Sequence, residues 1–177
     1  MNKELEKRIF SSIILIPISI FFIIKGSVFL IFFLGLLFIV TTYEWVKMCK
    51  KENTMKLLGI IFLIFSFYSA YLTREILGLY FFLFVILICI SSDIGGYVFG
   101  NIFKGPKLTK ISPNKTYSGV IGAFLFSLGS GLFFLQYIKS FFLVNERLET
   151  FFYILLISLV SQIGDLIISY FKRKANL

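Results

Sequence analysis

This chain has 177 residues, of which 58% are hydrophobic and 24 are phenylalanine. A soluble domain averages about 45–50% apolar residues even when glycine is counted. The composition therefore excludes an ordinary soluble domain and indicates an integral membrane protein.

Six apolar runs predict six membrane-spanning helices, at residues 9–24, 28–40, 57–72, 76–90, 120–138 and 151–171. A single helix covering the first two runs would be about 48 Å long, which exceeds a hydrocarbon core of about 30 Å. Two spans joined at Lys25-Gly26-Ser27 fit this region better. The predicted fold is therefore an all-α, polytopic bundle of about six spans.

Lysine and arginine are distributed unevenly between the two sides of this predicted bundle. The two tails and the second and fourth loops carry 14 of the 18, and the other three loops carry the rest. Because positive charge accumulates on the cytoplasmic side, both termini and the loops around Lys47 and Lys104 are predicted to be cytoplasmic. The net charge of +9 is mostly this topological signal. It favours anionic lipid headgroups and gives no reason to expect a nucleic-acid partner.

The last predicted span carries a polar stripe through otherwise apolar sequence. At about 100° per helical residue, its six polar residues fall within an arc of about 120°. They are Ser158, Ser161, Gln162, Asp165, Ser169 and Lys172. A carboxylate near the bilayer centre costs about 2.5–3.5 kcal/mol on insertion scales. We therefore expect this face to meet water, a cation or a substrate rather than lipid.

Asp93 and Asp165 are the two aspartates of the chain, and both are predicted at cytoplasmic ends of apolar helices. The seven glutamates lie in tails, loops or span ends beside positive charge, where solvation explains them. Two aspartates converging on one membrane face are the minimal arrangement for a divalent cation held through oxygen ligands. The alternative is that each carboxylate only caps its own helix end, and it carries more weight for Asp93 than for Asp165.

Residues 93–119 are predicted to form a cytoplasmic segment that begins with Asp93-Ile94-Gly95-Gly96. These glycines would let the backbone either turn or approach another backbone closely. Ser112-Pro113 suits the N-terminal boundary of the fifth span, where free N–H groups favour anions. Lys115 and Thr116 add a cation and a hydroxyl donor, as a phosphate site needs. A basic loop that serves only topology is the alternative, and the residues alone leave both open.

Three blocks of this sequence resemble the phosphatidate cytidylyltransferase family, also called CDP-diacylglycerol synthases. The blocks are residues 93–97 (DIGGY), 110–116 (KISPNKT) and 164–173 (GDLIISYFKR). They occur in the family's order and on the expected side of the membrane. The resemblance is strong over the C-terminal half, whereas the first three spans match only in being apolar. The chain is accordingly divided into four N-terminal spans (residues 1–92) and an active-site loop with two further spans (residues 93–177).

The resemblance implies transfer of CMP from CTP to phosphatidic acid, which gives CDP-diacylglycerol and pyrophosphate for phospholipid biosynthesis. It implies a multi-pass protein of the cell (inner) membrane whose active site faces the cytoplasm. Mg²⁺ is the expected cofactor, with a second cation and a homodimeric assembly left open.

The resemblance also implies roles for eight residues. Asp165 is expected to bind the metal, with Asp93 as a second ligand or an organiser of the pocket. Phosphate groups of the nucleotide or the lipid are expected to be bound by Ser112, Lys115, Thr116, Ser169, Lys172 and Arg173, with Lys115, Lys172 and Arg173 counted as catalytic alongside Asp165.

The sequence departs from the family pattern in two places. Ser118 stands where the family usually has glutamate. The pattern that begins Ser169-Tyr170-Phe171-Lys172-Arg173 continues in the family, four residues later, with Lys-Asp, whereas residue 177 is the last of this sequence. The resemblance therefore predicts a second aspartate ligand beyond Leu177 and little turnover by this chain alone.

Other function classes remain as alternatives. The first is a catalytically inactive membrane fragment of the same enzyme, and the second is a small polytopic transporter, which the absence of an internal repeat disfavours. Because the sequence contains no histidine, histidine-based lipid phosphatases and acyltransferases are disfavoured. Two isolated aspartates also do not supply the dense aspartate cluster of CDP-alcohol phosphotransferases.

Overall fold

The computed structural model describes residues 3–49, 53–108, 115–135 and 147–174. These residues form six helices, namely α1 (Lys3–Lys25), α2 (Ser27–Met48), α3 (Asn53–Ile76), α4 (Gly78–Phe103), α5 (Tyr117–Leu135) and α6 (Arg147–Lys174). Helices α2–α6 contain stretches long and apolar enough to cross a membrane, and α1 contains the shorter apolar stretch Phe10–Lys25. The predicted all-α polytopic fold is confirmed. The placement of both termini in the cytoplasm stays a prediction.

The chain divides into two compact units, Met1–Leu79 and Tyr80–Leu177. The first contains α1, α2 and α3, and the second contains α5, α6 and nearly all of α4. The functional division predicted after residue 92 is a different boundary, and it stays a prediction.

In the first unit, the chain breaks between α1 and α2 at Gly26, as predicted. Gly26 and Ser27 have φ angles of 64° and 47°. Arg74 at the end of α3 donates to two carbonyls of the last turn of α1 at 3.0 and 3.2 Å. The Glu75 carboxylate accepts the Ser27 N–H at 2.9 Å. Helix ends leave such backbone groups without intrahelical partners, so α3 stabilises the break.

In the second unit, α4 and α5 approach each other through glycines. A Cβ added at Gly95 would overlap the Gly122 carbonyl, and a Cβ added at Gly122 would overlap the Phe99 side chain. Small residues at membrane helix interfaces allow such close backbone approach. Of the two roles considered for the glycines after Asp93, close approach is therefore correct. The turn is wrong, because α4 continues as one helix to Phe103.

We expect Gly122→Ala to destabilise the second unit. Overpacking of a tight contact typically costs about 1–3 kcal/mol, and the atoms that meet the new methyl group are partly backbone. Thermal unfolding in detergent, followed by circular dichroism, should show a lower midpoint. Gly129→Ala on the same helix is the matched control, because a Cβ there meets nothing within 4 Å. Coincident unfolding curves for the two variants would contradict this close packing.

The apolar core of the second unit fixes α6 beside α4. Phe84 and Ile88 of α4 pack with Ile154 of α6, and all three side chains are buried. A Cβ added at Gly131 of α5 would also overlap Ile154. Further along the same helices the contacts become polar, and the two aspartates follow.

Candidate active site

A cavity of about 160 Å³ lies among α4, α6, the first turns of α5 and the two residues before it, all within the second unit. Its charged and hydrogen-bonding lining residues are Ser92, Asp93, Tyr97, Lys115, Thr116, Gln162 and Asp165. Three segments far apart in sequence therefore converge, and each was singled out from the sequence. Four predicted site residues, Asp93, Lys115, Thr116 and Asp165, share this one cavity.

Lys115 and Asp165 form an ion pair across the cavity. Lys115 Nζ lies 3.2 Å from Asp165 Oδ2 and donates to the main-chain oxygen of Gln162 at 3.4 Å. The two side chains are 28% and 57% exposed. An exposed pair of this kind contributes only about 0–1 kcal/mol. Either group can therefore leave this ion pair and bind a ligand instead, at little cost in free energy.

Asp93 lies inside α4, ten residues before its end at Phe103. The interpretation of Asp93 as a cap of its own helix end is therefore wrong. Its carboxylate is close enough to interact electrostatically with both Asp165 and Lys115. Within the described residues, no hydrogen bond to this carboxylate is found. Asp93 thus presents an available carboxylate to the same cavity as Asp165.

This pair of carboxylates fits a Mg²⁺ ion that also binds substrate. Mg²⁺ is usually held by one or two protein carboxylates together with waters and substrate phosphates. Over residues 3–49, 53–108, 115–135 and 147–174, no group of three or more histidine, cysteine or acidic side chains could hold a metal. Asp93 and Asp165 would supply the protein ligands, and phosphate oxygens would complete the coordination shell.

Thr116 is the N-cap of α5. Its Oγ1 accepts the Gly119 N–H at 3.1 Å and lies 3.0 Å from Ser118 Oγ. The same Ser118 hydroxyl accepts the Gly105 N–H at 3.4 Å. The residue that replaces the family's glutamate is thus part of the hydrogen bonding at this helix end. When the Ser118 hydroxyl donates to Thr116 Oγ1, the Thr116 hydroxyl does not donate in return. Its proton is then available to a phosphate.

A short backbone pairing holds Lys115 in place before α5. Lys107 and Thr116 form an isolated antiparallel bridge. The Leu108 N–H donates to the Lys115 carbonyl at 2.8 Å, and the Tyr117 N–H donates to the carbonyl of residue 106 at 3.1 Å. The helix boundary predicted at Ser112-Pro113 is therefore displaced to Thr116. Ser112 itself lies outside the described residues.

The remaining predicted residues lie further along α6. Ser169 Oγ donates to the Asp165 carbonyl of its own helix at 2.7 Å. Lys172 and Arg173 are exposed near the end of α6, and neither lines the cavity. Lys172 is about 10 Å from Asp165 along the helix axis, at 1.5 Å per residue. The structure therefore separates a carboxylate–lysine cavity from a basic helix end, and the roles of these residues stay predictions.

The predicted site omitted Ser92, Tyr97 and Gln162. Gln162 carried a signal, because it lies three residues before Asp165 on the polar face of the helix. Ser92 directly precedes Asp93, but its neighbour from another helix could not be read from the sequence.

Comparison with known proteins decides the family. A model of the "Cytidylyltransferase family" matches residues 53–177. The phosphatidate cytidylyltransferase of Rickettsia bellii is 32% identical over 189 residues, with 99% of this chain and 78% of that protein covered. This chain belongs to the phosphatidate cytidylyltransferase family. The predicted family is confirmed.

Other relatives support the same assignment. The phosphatidate cytidylyltransferase of Rickettsia conorii is 32% identical, covering 96% of this chain and 76% of its own length. That of Haemophilus influenzae is 36% identical over 103 residues, which are 56% of this chain and 35% of that protein. No solved structure matches the chain. The Rickettsia bellii protein matches 99% of this chain, so the similarity includes the first three spans. The sequence motifs alone had related those spans to the family only by their apolar character.

Proposed function

We propose that this protein transfers CMP from CTP to phosphatidic acid at the cavity that contains Lys115 and Asp165. The observation that supports this most directly is their 3.2 Å ion pair in the same cavity as Asp93, within a chain of the phosphatidate cytidylyltransferase family. In the reaction, a phosphate oxygen of the lipid forms a bond to the α-phosphorus of CTP. The bond from that phosphorus to pyrophosphate breaks, and pyrophosphate leaves with its electron pair.

No general base is required at this site. The attacking lipid phosphate is already an anion at neutral pH, because phosphate monoesters have a second pKa of about 6. The absence of histidine from the sequence is therefore compatible with the reaction. The chemical problem is electrostatic, since two anions must approach and a third must leave.

The charge of the cavity makes a cation necessary for anionic substrates. Among its described lining residues, two carboxylates and one ammonium leave one net negative charge. Mg²⁺ bound by Asp93 and Asp165 would reverse that sign and neutralise charge on the transferred phosphoryl group; a second cation remains open. Lys115 and Thr116 add directional donors at the N-terminus of α5, where the helix dipole favours phosphate.

The basic end of α6 suits the second substrate. Lys172 and Arg173 are exposed about two turns beyond Asp165, where they can reach a lipid phosphate at the membrane surface while its acyl chains stay in the bilayer. The cavity and this helix end then bind the nucleotide and the lipid, respectively. A homodimer remains an open assembly, and nucleic acid has no role in this proposal.

We propose that the active site faces the cytoplasm at the inner membrane, where CTP is present. Reporters fused after residues 51, 110 and 177 should then give cytoplasmic signals, and reporters near Arg74 and Lys139 should give external ones. The excess of lysine and arginine in alternate loops is the physical reason. An external signal after residue 110 would place the cavity on the wrong side for CTP.

The activity is tested with labelled CTP and phosphatidic acid in mixed detergent micelles with Mg²⁺. We expect lipid-extractable CDP-diacylglycerol as the product. Diacylglycerol in place of phosphatidic acid should give none, because it lacks the attacking phosphate. The absence of this product would contradict the proposed function.

A further inference from the structure

Three polar side chains, two of which line the cavity, form a hydrogen-bonded network between α4 and α6. Ser92 Oγ lies 2.9 Å from Ser158 Oγ, and Gln162 Nε2 donates to Ser158 Oγ at 3.3 Å. Ser92 is 1% exposed and Ser158 is 0% exposed. We refer to Ser92, Ser158 and Gln162 as the serine–glutamine network. It is a buried polar contact between two membrane-spanning helices.

Hydroxyl groups in membrane helices do not need a partner helix. Several others in this protein donate to the carbonyl four residues earlier in their own helix, at 2.7 to 2.8 Å, as Ser19, Ser66, Thr73 and Ser169 do. This local bond is the usual way in which such a hydroxyl is satisfied. Ser92 and Ser158 instead contact each other across 66 residues of sequence. Their bond therefore specifies how α4 and α6 are rotated against each other.

Two members of the network, Ser92 and Gln162, line the same cavity as the two carboxylates. Ser92 directly precedes Asp93 on α4. On α6, Gln162 and Ser158 lie three and seven residues before Asp165, on the same helical face. The main-chain oxygen of Gln162 also accepts from Lys115. A rotation of either helix at the network would therefore move one carboxylate away from the other.

We propose that Ser158 is a positioning residue that fixes the separation of Asp93 and Asp165 through Ser92 and Gln162. It touches no reacting atom. The use of that separation in cation and nucleotide binding rests on the proposed function, whereas the separation itself does not. Ser158→Ala removes the shared hydroxyl and leaves the other two polar groups without this partner.

Ser127→Ala is the matched control. Ser127 is also 0% exposed and also lies in a membrane helix, but it donates to the carbonyl of Phe124 in its own helix at 3.0 Å. The two substitutions remove the same atom from equally buried positions. A difference between them reports the interhelical bond rather than burial.

The geometric test measures cross-linking between Asp93→Cys and Asp165→Cys, in a background with Cys49→Ala and Cys89→Ala. Thiol reagents of graded length identify the shortest that joins the two positions rapidly. Adding Ser158→Ala should slow that reaction several-fold, and adding Ser127→Ala should leave the rate unchanged. If no reagent joins the pair, or if the rate ignores Ser158→Ala, the proposal is wrong.

The functional test uses protein with both aspartates intact. Ser158→Ala should lower kcat/KM for CTP and the affinity for Mn²⁺, measured by electron paramagnetic resonance, by about 10- to 100-fold, as for residues that orient metal ligands. A disulfide between Ser92→Cys and Ser158→Cys should restore both quantities when oxidised, and they should fall again on reduction, because the Oγ atoms that the sulfurs replace lie 2.9 Å apart.

The outcomes separate the two proposals. If cross-linking depends on Ser158 but the protein forms no CDP-diacylglycerol, the proposed function is wrong and the positioning role is supported. If the protein forms CDP-diacylglycerol but Ser158→Ala changes neither the cross-linking rate nor turnover, the positioning role is wrong and the proposed function stands.

Discussion

Asp165→Asn should nearly abolish CDP-diacylglycerol formation, with kcat/KM reduced by at least about 100-fold. The amide has the size of the carboxylate but carries no charge, so it cannot serve as an anionic ligand for Mg²⁺. The substitution also removes the partner of Lys115 at 3.2 Å. Because Asp165 is 57% exposed, the change should leave the fold intact.

Glu149→Gln provides the control for this substitution. Glu149 lies in the first turn of the same helix, and replacing it removes one carboxylate charge without touching the cavity. Turnover and Mn²⁺ affinity should both stay near the unsubstituted values. We expect Mn²⁺ affinity to fall only in Asp165→Asn. Activity that survives Asp165→Asn would remove Asp165 as a metal ligand and leave Lys115 as the main electrostatic group.

The helices and the importance of α6 could be predicted because each rests on a local pattern. The break at Gly26 followed from the length limit on a single span. The stripe containing Asp165 followed from the helical period, which does not depend on tertiary contacts. The convergence of Lys115 with Asp165 followed only from both being predicted on one side of the membrane, and the structure adds the atomic contact.

The parts that could not be predicted depend on which helices pack together. Glycines after Asp93 are compatible with a turn or with close packing, and only the approach of Gly122 from α5 decides between them. The hydroxyl of Ser92 could have bonded its own helix, as those of Ser66 and Ser169 do. Its contact with Ser158 depends on the register of α4 against α6. Such a register is set by the whole apolar core, including Phe84 and Ile154, and leaves no short motif in the sequence.

Lys115→Gln should lower kcat/KM for CTP by roughly 100-fold, because a charge-assisted contact to phosphate is lost where negative charge must be stabilised. Its effect on the cation should have the opposite sign to that of Asp165→Asn. The Lys115 ammonium occupies Asp165 Oδ2 in the structure and repels any cation in the cavity. Its removal should therefore raise the affinity for Mn²⁺.

Lys107→Gln is the matched control for Lys115→Gln. Lys107 is exposed, pairs through its backbone with Thr116 and does not line the cavity. Its replacement therefore removes the same charge from the paired segment outside the cavity. Its kinetics should stay near those of the unsubstituted protein. Weaker binding of both Mn²⁺ and CTP in Lys115→Gln would indicate a collapsed cavity. Tighter Mn²⁺ binding with weaker CTP binding is the pattern required if the lysine and the cation share Asp165 and act together on phosphate.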